Sequence, residues 1–168
     1  MTPRNIVPQI FTFIFYLLLQ IFFVRQLVFF NYAFCFVYVA TIILLPFDTS
    51  RVQLILLGFV AGMLVDVFYN TIGANAAAMT LIAYLRQPIL ALLVPQRGYD
   101  ERQILSLKSM GASWFLSYVV ILTMIHHFVL FSLEASNFGL IVPIFIKVIA
   151  STIFTTLVII IIQFFRKE

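Results

Sequence analysis

Apolar residues run along this chain in six long stretches separated by short polar joints. A helix needs roughly 20 apolar residues to cross the hydrocarbon layer of a bilayer, and that length can be laid down repeatedly. The pattern predicts crossings from Ile6 to Val24, from about Leu27 to Leu45, from Val52 to about Tyr69, from near Ala76 onward, from about Ser113 to Leu133, and from about Leu140 to Phe165. The fourth is interrupted at Pro88. Because Ala76 to Arg86 is too short to cross alone, the stretch through Val94 is needed, either as the far half of a kinked helix, which is favoured, or as a re-entrant piece.

The joints are 46–51, 70–75, 95–112 and 134–139, and only the third is long enough to hold structure of its own. It carries Arg97, Asp100, Glu101, Arg102 and Lys108 among Ile104, Leu105, Leu107 and Met110, which suits either a short amphipathic surface helix or a plain connector. The first apolar run follows Arg4 but is too long for a secretory leader and lacks a small-residue cleavage site. The expectation is an all-α membrane protein with about six transmembrane helices in one bundle, residues 1–168 forming a single membrane domain.

Composition agrees with this expectation. Hydrophobic residues make up 64% of the 168 and charged residues 10%, with mean hydropathy +1.14, whereas charged residues form about a quarter of an ordinary soluble chain. An even number of crossings puts both termini on one side. That side would hold Arg4, Arg51, Arg86, Arg97, Arg102, Lys108, Arg166 and Lys167 against Arg25 alone on the other, so both termini are expected in the cytoplasm. The formal charge of +4 then reads as a topology signal and an attraction to anionic lipid, not as a nucleic-acid footprint. The single cysteine, Cys35, has no partner in the chain for a disulfide.

Ionisable residues inside a crossing are costly and face protein or water. Four stand out: Asp66 near the outer end of the third stretch, His126 and His127 in the fifth, and Lys147 in the sixth. Gly58, Gly62 and Asp66 recur at every fourth position, as do Lys147, Ser151 and Thr155, so each trio shares a helix face. The Gly-x-x-x-Gly spacing permits close helix approach, and hydroxyls supply hydrogen bonds between helices. Laid antiparallel, the two stripes pair Asp66 with Lys147, Gly62 with Ser151 and Gly58 with Thr155. Asp66 and Lys147 then form either a structural ion pair or the lining of a ligand or proton path. The two histidines point about 100° apart, one toward the bundle and one toward the headgroups, and do not share a metal.

No nucleophile elbow, His-Glu-x-x-His pair, phosphate-binding glycine loop or pair of intramembrane carboxylates is present, so a non-enzyme without metal or cofactor is expected.

The run Leu57-Gly58-Phe59-Val60-Ala61-Gly62-Met63-Leu64-Val65-Asp66, then Gly73, Ala76-Ala77-Ala78 and Tyr84-Leu85, resembles the central signature of MreD, the rod shape-determining membrane protein. The joint Pro46-Phe47-Asp48-Thr49-Ser50-Arg51 and Gly98-Tyr99-Asp100-Glu101 look like its Bacteroidetes-type branch. The resemblance implies a non-catalytic scaffold of the cell-elongation machinery in the bacterial inner membrane, partnered by MreC and, in a larger complex, by MreB, RodA and a penicillin-binding transpeptidase. That family also resembles in fold the substrate-binding membrane subunits of energy-coupling-factor transporters. The rival expectation is such a small-molecule subunit, with Asp66, His126 and Lys147 lining an outward pocket.

Overall fold

The computed structural model describes residues 6–95, 98–99, 105–135 and 141–166. Residues 96–97 and 100–104 of the third joint lie outside the described residues, as do Arg4, Lys167 and most of the 134–139 joint.

Five long helices form the frame: α1 (Ile6–Phe22), α3 (Arg51–Tyr69), α4 (Ala74–Leu92), α6 (Ala112–Glu134) and α7 (Ile141–Phe165). Two short ones, α2 (Ala40–Ile43) and α5 (Leu107–Met110), lie in the connections. Three helices, α3, α6 and α7, are long and apolar enough to cross a membrane, and α1 adds a shorter apolar helix.

The helix boundaries follow from local chemistry. At the start of α3, Ser50 Oγ accepts from the Gln53 amide and Gln53 Oε1 accepts from the Ser50 amide, a reciprocal capping box. The same helix ends at Asn70, whose φ of 57° is a left-handed conformation that Asn tolerates better than most residues. Gly73, at φ 73°, then turns the chain into α4. The helix α4 continues through Pro88 to Leu92, so the fourth stretch is one helix and no re-entrant piece forms. Pro88 is exposed. Of the two readings of the third joint, a surface helix or a plain connector, the described residues show the single turn α5, capped by Ser106.

The hairpin of α3 and α4 is the closest packing in the molecule. A Cβ built on Gly62 would lie 2.4 Å from Ala76 Cα and 2.6 Å from the Asn75 carbonyl oxygen, so the two backbones meet at van der Waals distance. Four residues earlier, a Cβ on Gly58 would lie 3.0 Å from both Ala83 Cβ and the Met79 carbonyl oxygen. The glycine face therefore packs on α4, not on α7 as the stripe argument expected. The short joint Asn70–Gly73 keeps α4 beside α3, so the small-residue face meets its neighbour in sequence. The second antiparallel pair is α6 with α7, joined through His127 to Thr152 and Thr123 to Thr156.

The second stretch departs most from expectation, because Leu27 to Leu45 is not a helix. After a 3-10 turn at Val24–Gln26 come two short antiparallel strands, β1 (Val28–Phe29) and β2 (Ala33–Phe34), then extended chain, a 3-10 turn at Val37–Val39 and the single helical turn of α2. Phe30 and Asn31, at φ 51° and 62°, form the hairpin tip, closed by the Tyr32 amide donating to the Phe29 carbonyl. From Cys35 to Leu45 the chain is buried throughout, threaded between the helices. The composition accounts for this: Val28 to Val39 is dense in aromatic and β-branched residues with Asn31 in the middle, a strand-and-turn signature that hydropathy alone does not distinguish from a helix.

Gly62→Ala should splay the α3–α4 hairpin, because backbone stands where the methyl would go. A loss of about 1 to 3 kcal/mol is expected on unfolding in mixed micelles, larger than for Gly58→Ala, where a side-chain methyl is among the closest neighbours. Equal stability of the Gly62 variant and the parent protein would refute this packing.

Candidate functional site

The polar groups gather where the irregular segment enters the bundle. Asp66, 3% exposed, sits one turn before the end of α3 and faces the start of α4. Its Oδ1 accepts from the Thr71 hydroxyl, from the Asn75 amide at 3.1 Å and from Asn75 Nδ2 at 3.0 Å, and its Oδ2 accepts from the Ala76 amide at 2.9 Å. The carboxylate thus takes up orphan N–H groups of the first turn of α4, where the helix dipole also favours negative charge. Gly73, at the N-cap position, offers no side chain for that task, and Asp66 supplies it from the preceding helix.

No salt bridge joins Asp66 to Lys147. Lys147 is half-buried on α7, and its ammonium lies over the Phe34 ring, 5.6 Å from the centroid. The pairing argument matched depths along two helices that do not pack face to face. The carboxylate is already saturated by donors from α4, and the lysine finds an aromatic face instead.

A chain of hydrogen bonds runs from Asp66 to His126. Asn75 Nδ2 donates to Asp66 and to Thr71 Oγ1, which leaves Asn75 Oδ1 as an acceptor for the Tyr38 hydroxyl at 2.8 Å. With its one proton committed to Asn75, the Tyr38 oxygen can only accept from His126 Nε2, also at 2.8 Å. The network therefore assigns the Nε2–H tautomer to His126 and leaves its buried Nδ1 without a partner among the described residues.

His127 is buried as completely as His126, contrary to the expectation that one imidazole reaches the headgroups. Its Nδ1 meets Thr152 Oγ1 at 3.2 Å and its Nε2 meets Thr155 Oγ1 at 3.4 Å. Phe36 packs against both imidazoles, its centroid 6.0 Å from His126 and 5.4 Å from His127, and the two imidazoles meet edge to face at 5.3 Å. Among the described residues no three His, Cys, Asp or Glu side chains converge as a metal site would require.

The small and hydroxyl residues of α7 serve the irregular segment rather than α3. Ser151 Oγ accepts from the Phe34 amide at 2.9 Å, and Thr155 Oγ1 accepts from the Phe36 amide at 3.0 Å. On the other side, Gln20 of α1 donates to the Cys35 carbonyl at 3.1 Å and accepts from the Tyr38 amide at 3.3 Å. At the far end, Tyr118 donates to the Ile43 carbonyl at 3.2 Å. Arg86, fully buried, donates from Nη2 to the Leu45 and Pro46 carbonyls and from Nε to Tyr118 at 3.0 Å. Main-chain carbonyls at the end of the irregular segment thus hold the guanidinium inside the bundle.

Of the predicted residues, then, Asp66 and His126 belong to one network, Ser151 and Thr155 to a second beside His127, Gly58 and Gly62 to the α3–α4 contact, and Lys147 to the rim. Gln20, Tyr38, Asn75 and Thr152 were not singled out. The available signal was that these side chains lie in apolar runs with few polar neighbours, but uncharged polar groups do not register on a search for intramembrane charge. An open cleft of about 520 Å³ lies at the other end, lined by Leu93, Met110, Gly111, Ala112, Ser113, Trp114 and Ser117.

Asp66→Leu should unseat the start of α4 and cost about 3 to 5 kcal/mol, while Asp66→Asn, which keeps an acceptor, should cost clearly less. Both are read by unfolding in mixed micelles, and equal losses would refute the capping role. Thr155→Val should deprive the Phe36 amide of its acceptor, cost about 1 to 3 kcal/mol and speed hydrogen exchange at residues 34–38. Unchanged exchange there would refute the tether.

Comparison with protein-family models, with curated proteins and with solved structures gives no match to the chain.

Proposed function

We propose that this chain is a non-catalytic membrane scaffold of the bacterial cell-elongation complex, seated in the inner membrane and binding MreC. The larger complex would add MreB, RodA and a penicillin-binding transpeptidase. The observation that carries the reading is the use to which the signature residues are put. Gly58, Gly62, Asp66 and Ala76, on which the resemblance to MreD rests, act together as one joint: glycines admit the backbone of α4, and the carboxylate caps it. A signature devoted to internal architecture, with no nucleophile or metal set beside it, suits a protein whose activity is the presentation of surfaces.

On this reading the irregular segment is the second of six crossings. It runs from the level of Thr155 and His126 to that of Tyr118 and Arg86, shielded by protein all the way. Both termini then face the cytoplasm, with Arg51, Lys108 and Arg166 on that side. Binding would use the lipid-facing helix surfaces for a partner's transmembrane helix and the 95–112 connection for cytoplasmic components.

The rival, a substrate-binding subunit of an energy-coupling-factor type transporter, draws on the outer polar grouping of Asp66 and His126. Those two groups are linked through Asn75 and Tyr38, whose side chains stand between them, so the grouping supports a structural role better than a ligand pocket.

Affinity purification of the tagged protein from native membranes in mild detergent, followed by mass spectrometry, tests both. Recovery of MreC with RodA and the transpeptidase is expected. Recovery of paired ATPase subunits with a bound small molecule would overturn the scaffold reading in favour of the transporter.

A further inference from the structure

The hairpin formed by β1 and β2 is built in a way that the bundle does not require. At its tip Phe30 holds a left-handed backbone, φ 51°, which a bulky side chain adopts at a cost and which Gly or Asn would adopt more easily. Its ring is 90% exposed and adds nothing to the core. Phe29 and Tyr32 are also exposed, as are Phe22, Phe23 and Leu27 just before the hairpin. An apolar, aromatic tip on a strained turn serves something outside the fold.

One ruler locates the tip. Along α3, Arg51 to Tyr69 spans about 27 Å at 1.5 Å per residue, which nearly matches a hydrocarbon thickness of about 30 Å. Lys147 lies about 9 Å along α7 from Ile141, within reach of the interface for a snorkelling side chain. Arg51 opens α3, and Arg166 follows α7 at the same end of the bundle. At the opposite end Arg25 lies over the Tyr69 ring, 5.0 Å from its centroid, and Lys147 lies over Phe34 of β2. The hairpin sits between these two cations. Phe29 packs edge-on against Phe154 of α7, 4.9 Å between centroids, and Phe22 meets Phe68 at the end of α3. Aromatic rings with cations at their level are the composition of a membrane interface, where ammonium and guanidinium groups meet lipid phosphates and rings enter the upper acyl region.

We infer that the β1–β2 hairpin is a lipid-binding arm: Phe30 inserts into the outer leaflet just beneath the headgroups, and Arg25 and Lys147 engage the phosphates on either side of it. The occupant of this surface is lipid. The inference rests on the membrane placement of the bundle and is independent of the scaffold reading.

The test uses the full chain with a nitroxide attached at Phe30→Cys, reconstituted in phosphatidylethanolamine and phosphatidylglycerol vesicles. The buried Cys35 leaves the label selective. Collision with oxygen, which favours lipid, is compared with collision with a water-soluble nickel complex. Leu64→Cys on the exposed face of α3 and the fully exposed Ile72→Cys in the α3–α4 joint serve as lipid and water references. Oxygen should dominate at position 30, with a depth within about 10 Å of the phosphate level. A label at Asn31→Cys provides the neighbouring tip position if the first variant does not fold. Nickel accessibility like that at Ile72 would overturn the inference by placing the tip in water. Protection from both agents would overturn it in favour of a protein that covers the arm.

Discussion

Backbone N–H and C=O groups removed from water must be hydrogen-bonded, and this requirement organises the bundle more than any charge does. A helix meets it alone. The segment from Ala33 to Leu45 does not, because its extended and 3-10 portions leave amides and carbonyls unpaired along the chain. The surrounding helices contribute the missing partners: Gln20 from α1, Ser151 and Thr155 from α7, Arg86 from α4 and Tyr118 from α6. The frame is thus a set of helices whose few polar residues are spaced to receive one irregular strand. Removing the strand would leave those side chains buried without partners.

Capping of α4 by Asp66 belongs to the same logic. An ionised carboxylate at low exposure is expensive unless its lone pairs are filled, and a helix N-terminus offers several donors and a favourable dipole at once. Gly62 makes the arrangement possible, since any side chain there would hold the two backbones apart and pull the carboxylate out of reach. Glycine and aspartate four residues apart thus act as one device. The glycine sets the distance at which the aspartate can cap.

Much of this was legible in the chain. The bounds of α1, α3, α6 and α7 fall within one or two residues of those read from hydropathy, because long apolar runs ending in Ser50, Asn70 or Glu134 leave few alternatives. The importance of Asp66 and of the two glycines was legible too, from burial cost and spacing. Their partners were not. Spacing along a helix says which residues share a face but not which neighbour that face meets, and matching two stripes by depth ignored the nearer claim of α4 on α3. The second stretch failed for a different reason: hydropathy reports the solvent, and a lipid-shielded strand is as apolar as a helix. Only the aromatic and β-branched run around Asn31 distinguished them.

The two histidines show how far the logic of main-chain satisfaction reaches. Adjacent in α6, they diverge, and in a bundle of helices alone one of them would face lipid. Here both are interior: Phe36, carried by the irregular segment, packs against both rings, and each ring finds hydroxyls on its own side, Tyr38 for His126, Thr152 and Thr155 for His127. Tyr38 belongs to the irregular segment itself, and Thr155 also receives the Phe36 amide, so the hydroxyls that meet the imidazoles are the ones that seat the strand.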